Sequence, residues 1–135
     1  MDKVSNLVAE ALGYARVVRK CLDGKIIPLL EPRHRSFASE ISRRIGTRSL
    51  MTEGFLRDLE AFIALLNEQA DGETSYVWRG HEHDPDCGYT VPVRSERAAV
   101  FITVLDAVGD LATAIEAALD AAEAYRIANT LFEQT

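Results

Sequence analysis

The sequence predicts a mainly α-helical fold: an elongated bundle of about four helices, with a β-hairpin inserted before a long C-terminal helix. Three observations carry this reading. Residues 96–133 repeat apolar side chains in a seven-residue frame, residues 1–70 hold three shorter amphipathic stretches punctuated by glycine and proline, and residues 74–94 abandon the helical period altogether. A chain of 135 residues makes one domain, 1–135, long enough to bury a core of its own.

The first helix is expected over about 2–22. Val4, Leu7, Val8, Ala11, Ala15, Val18 and Leu22 share one face, and Gly24 is the expected stop. A link over 25–32 follows, whose Pro28 and Pro32 forbid a continuous helix while Ile26, Ile27, Leu29 and Leu30 need cover. The second helix, about 33–45, turns Phe37, Ala38, Ile41 and Ile45 inward and ends at Gly46. The third, about 50–70, turns Leu56, Leu59, Phe62, Ile63 and Leu66 inward and closes at Asp71-Gly72.

In residues 74–94, β-branched and aromatic residues flank Asp84-Pro85-Asp86-Cys87-Gly88. Proline second and glycine last suit a type I turn followed by a left-handed residue. That turn pairs His83 with Gly88, and so sets Trp78 against Val93 and Gly80 against Val91. Tyr76 and Trp78 then lie on an apolar side that should pack on the bundle; Val77, Arg79, His81, His83, Thr90 and Arg94 lie on the other.

Ser95 caps the last helix. Phe101, Val108, Ile115, Ala122 and Asn129 form one column of its seam and Val104, Leu111, Ala118, Tyr125 and Phe132 the second, so only Asn129 is polar. Leu105, Ala112 and Leu119 widen the stripe, while Asp106, Asp110, Glu116, Asp120 and Glu123 occupy the opposite face. A stripe this wide is suited to two neighbouring helices rather than one. At about 50 Å the helix overhangs a compact globule of this size, about 40 Å across. An elongated homodimer resolves that mismatch, with a break at Gly109 as the competing solution.

Composition bounds the rest. Hydrophobic content of 47% and charged content of 27% are ordinary for a soluble chain. The longest apolar run, 98–105, is short of a membrane span, and charges interrupt the first residues, so neither a membrane role nor a signal peptide is expected. Two cysteines, Cys21 and Cys87, make no disulfide framework, and the cytoplasm is the default compartment. Net charge is −6, divided as 11 Lys/Arg against 8 Asp/Glu through residue 60 and 4 against 13 beyond it. Halves of opposite sign favour association between copies and leave one basic region for an anionic partner.

Arg33, Arg35, Arg43, Arg44 and Arg48 form the densest basic stretch. Guanidinium forks beside a helix start suit a phosphate or carboxylate on a small molecule or an acidic protein; the alternative is a solvated face paired with Glu31, Glu40 and Glu53. His81, His83 and Cys87 lie among seven residues rich in metal-ligand types and could hold a transition metal such as zinc. The same polar residues are ordinary turn formers. Ile41-Ser42-Arg43-Arg44-Ile45-Gly46-Thr47, followed by Thr52 and Leu56, resembles the first helix and turn of bacterial helix-turn-helix DNA-binding units. That resemblance implies a recognition helix over about 49–59. Trp78-Arg79-Gly80 matches the W-x-G triplet of small secreted helical-hairpin proteins, but there it joins two helices directly. No nucleophile–base pair or glycine-rich phosphate loop is legible. The expectation is a non-catalytic homodimeric binding or regulatory module, with nucleic-acid or metal binding as the alternatives.

Overall fold

The computed structural model describes residues 2–81 and 84–133. Four helices and one hairpin follow in the order α1 (Asp2–Cys21), α2 (Pro32–Ile45), α3 (Glu53–Gly72), β1 (Thr74–His81), β2 (Asp84–Arg94) and α4 (Glu96–Glu133). Helix α4 is continuous through Gly109. It lies between α1 and α3 and runs antiparallel to both: Leu7 and Tyr14 of α1 adjoin Ala117 and Asp110, while Glu53 and Ala70 of α3 adjoin Glu116 and Ile102.

The core is the meeting of these faces. Ala11, Ala15, Val18 and Leu22 come from the first helical stretch, and Phe55, Leu59, Phe62 and Leu66 from α3. Phe101, Val104, Val108, Leu111, Ile115 and Ala118 of the α4 seam are buried between them. Helix α2 closes one side with Ala38, Ile41 and Ile45, and Phe37 meets Phe62 with ring centroids 5.7 Å apart. Beyond Ala118 the seam emerges: Ala122 is exposed and Tyr125 is 42% exposed. Helices α1 and α3 have 20 residues each and α4 has 38, so α4 is about 57 Å long against about 30 Å for its neighbours. By length and composition alone, residues 96–128 of α4 could also cross a bilayer.

The ends of the helices differ from expectation in two places. Gly24 does not stop α1. The chain widens into a π-turn over Leu22–Ile26, closed by the Ile27 amide donating to the Leu22 carbonyl. This wider turn keeps both Leu22 and Ile26 in the core. A short 3-10 turn over Ile27–Leu29 then ends the run, with Pro28 unable to supply an amide proton. Ser42, buried on α2, donates to Asp23 Oδ1 at 2.7 Å and ties α2 to the π-turn. Thr52 caps α3 by accepting from the Phe55 amide at 3.1 Å, after a 3-10 turn over Arg48–Met51 in the segment expected to be helical.

The hairpin is present, but its register differs by three residues. Trp78 pairs with Thr90, Tyr76 with Pro92, Gly80 with Gly88 and His81 with Asp84. Asp84-Pro85-Asp86-Cys87-Gly88 lies within β2, and Pro85, Asp86 and Cys87 fall in an irregularity with no partner on β1. Proline has no ladder donor, which suits it to such a bulge. Gly80 and Gly88 face each other so closely that a Cβ on Gly88 would overlap the Arg79 carbonyl. Because the shift is odd, partners change face: Tyr76 and Trp78 now share a side with Thr90, Pro92 and Arg94. Nor does an apolar side of the hairpin pack on the bundle along its length. Tyr76, Trp78 and Tyr89 are 66%, 54% and 60% exposed, and only the base of the hairpin reaches α3 and α4.

Candidate functional site

The α2 arginines are positioned by local chemistry. Arg33 Nε lies 2.8 Å from Glu31 Oε2 at the entry to the helix. Arg35 Nε donates to the Leu30 carbonyl at 2.8 Å and its Nη2 to the Pro28 carbonyl at 3.5 Å, satisfying acceptors that the proline-broken link leaves open. Arg43 grips Glu40 with Nη2 at 2.5 Å and Nε at 3.1 Å, and this fork holds the Glu40 carboxyl below its ordinary range. Arg44 turns the other way: largely buried, it pairs with Asp58 of α3 and places its guanidinium 4.9 Å from the centre of the Phe55 ring. The side chain of Arg48 lies outside the described residues. Arg33, Arg35, Arg43 and Arg44 thus each reach a different partner. Arg33 and Arg43 remain largely solvent-facing, their guanidiniums open to a competing anion.

In the segment that the helix-turn-helix resemblance would use, Leu50 is buried, and the exposed face of α3 presents Glu53, Gly54, Arg57 and Glu60. Of the hairpin ligand set, His83 and the side chain of His81 lie outside the described residues; Cys87 is exposed and unpaired with Cys21. Among the described residues no group of three or more His, Cys, Asp or Glu is placed to hold a metal ion.

The base of the hairpin forms a cleft that the expected register hid. It encloses about 310 Å³ between the end of α3, the first residues of β1, the last of β2 and the early turns of α4. Ala70, Pro92, Ile102 and Leu105 give it apolar surface, and Tyr76 stands at its edge. Asn67, Asp71 and Arg94 bring polar groups to the same space. Thr74 is committed elsewhere, its hydroxyl donating to the Ala70 carbonyl at 2.7 Å.

A clasp beside the cleft fixes its walls. The Ser95 hydroxyl accepts from the Ala98 amide at 3.1 Å, capping α4, and donates to Glu73 Oε2 at 3.4 Å. The Ser95 amide donates to the Glu73 carbonyl at 3.3 Å. Arg97 Nε lies 3.4 Å from Glu73 Oε1, and its Nη2 donates to the Leu29 carbonyl at 2.7 Å. The two ends of the hairpin are therefore joined to each other, to α4 and to the link before α2. Ser95 as a cap was legible in the sequence; the cleft was not, because the expected register put Arg94 and Tyr76 on opposite sides.

No family model matches this chain, and neither a curated protein nor a solved structure shows significant similarity to it.

Proposed function

We propose that this chain is a non-catalytic binding module that works as a homodimer, with the emergent end of α4 covered by a second copy. The observation behind this reading is the length mismatch along α4. Its seam is buried as far as Ala118 and then continues past the ends of α1 and α3, with Ala122 and Tyr125 exposed. A solvated seam gains nothing from its apolar side chains, whereas a facing helix gains about 25 cal/mol for each Å² it covers. A second copy suits this surface because the chain is basic through residue 60 and acidic beyond it, so the acidic α4 end of one subunit meets a basic counterpart in the other.

Light scattering on the eluting protein tests this. Twice 14.9 kDa, about 30 kDa, is expected for the wild type, and Tyr125→Glu shifts the mass to that of the monomer while leaving helical content unchanged. A monomeric wild type, or a Tyr125→Glu variant that stays dimeric, rules out the α4 seam as the interface.

A further inference from the structure

The geometry points to the cleft at the hairpin base as a binding site for a small zwitterion carrying a carboxylate and an ammonium group on an apolar body, the class to which apolar α-amino acids belong. The argument begins with charge. Arg94 and Asp71 line one cleft of about 310 Å³, yet they form no ion pair with each other, and neither side chain has a hydrogen bond or ion pair with any other described residue. Of the other arginines of the bundle for which a contact is described, all but Arg35 sit on a carboxylate: Arg19, Arg33, Arg43, Arg44, Arg57, Arg97 and Arg126. Opposite charges that share a space without pairing offer separate partners to the two ends of a dipolar ligand. Arg94 supplies the planar fork suited to a carboxylate, and Asp71 accepts from an ammonium.

Asn67 is the second polar feature. One turn before Asp71 on α3, its amide also has no partner among the described residues and faces the same cleft. It offers both a donor and acceptors. The apolar body has its own surface in Ile102 and Leu105, with the Tyr76 ring at the edge. The volume stands at the lower end of the roughly 300–1,000 Å³ typical of small-molecule clefts, which restricts the occupant to about the size of one amino acid. The clasp of Glu73, Ser95 and Arg97 holds the strand ends in place, so the site is formed before the ligand arrives. The cleft abuts the first turns of α4, far from the exposed seam at Tyr125, so this inference and the dimer stand or fall separately.

Titration calorimetry with L-phenylalanine, 3-phenylpropionate and 2-phenylethylamine provides the test. L-phenylalanine is expected to bind, and each analogue lacking one charge to bind about tenfold or more weakly, the loss of one charge-assisted hydrogen bond. Arg94→Gln abolishes preference for the carboxylate-bearing probes. Asp71→Asn narrows the gap between L-phenylalanine and 3-phenylpropionate, and this second variant decides the matter if Arg94→Gln is poorly folded by circular dichroism. The inference is overturned if neither L-phenylalanine nor L-leucine binds at millimolar concentration, if 3-phenylpropionate binds as well as L-phenylalanine, or if both variants bind like the wild type.

Discussion

Ser95 illustrates how much of this architecture rests on single side chains. One hydroxyl accepts the Ala98 amide and donates to Glu73, so it both starts α4 and closes the hairpin. Ser95→Ala should lower unfolding free energy by about 1 kcal/mol, the usual value of an N-cap, read as a reduced urea midpoint. Glu40 sets the opposite extreme. Its bond to Arg43, chiefly the hydrogen bond, depresses the carboxyl in the folded state. A depressed carboxyl contributes stability that is present above its unfolded value and is lost as pH falls through the folded one. Both partners are at the surface, where screening leaves such pairs little weight. Glu40→Gln should therefore give urea midpoints slightly below wild type at neutral pH and equal to it at pH well below the carboxylate range. A difference that grows on acidification would contradict the assignment. Of the residues legible in the sequence, Ser95 took its expected role, and Arg33 and Arg43 found Glu31 and Glu40. Arg44's turn beneath α3 onto Asp58 and Phe55 was not legible, since it depends on how α2 and α3 pack.

Among the elements, the helices followed from periodicity and the hairpin register did not. The α4 stripe and the inward faces of α2 and α3 repeat often enough for one misplaced residue not to alter the reading. A two-stranded hairpin has no such redundancy: its register depends on a few residues at the turn, and here Pro85 sits in a bulge instead of at a turn corner. The Gly80–Gly88 pair, where neither residue has a side chain, permits the close approach that fixes the observed pairing. Gly88→Val should accordingly break the cross-strand Hα contacts between Gly80 and Gly88 in nuclear Overhauser spectra. Because most of the hairpin is solvent-facing, the melting temperature of the bundle should change little. Preserved Hα contacts between Gly80 and position 88 in that variant would show that the close approach does not set the register. The π-turn after α1 escaped for a related reason: glycine signals a helix stop locally, but the burial of both Leu22 and Ile26 outweighs it.

For the molecule as a whole, the dominant relation is between one 38-residue helix and two 20-residue neighbours. Three helices of matched length would bury their seams completely within one subunit. This chain keeps a ligand-sized cleft at the end of the bundle where α4 begins, and an exposed apolar seam at the end where it overhangs. The fold class and the overhang were both legible from the sequence, because each follows from counting residues along one periodic stretch. Where the seam would cease to be covered was not, since that depends on where α1 and α3 fall beside α4. The central claim, that a second copy covers the overhang, is tested most directly by native mass spectrometry of the unmodified protein purified without chelators. A dimer of twice 14.9 kDa, about 29.8 kDa, is the predicted result, and a monomer at the same concentration would contradict it.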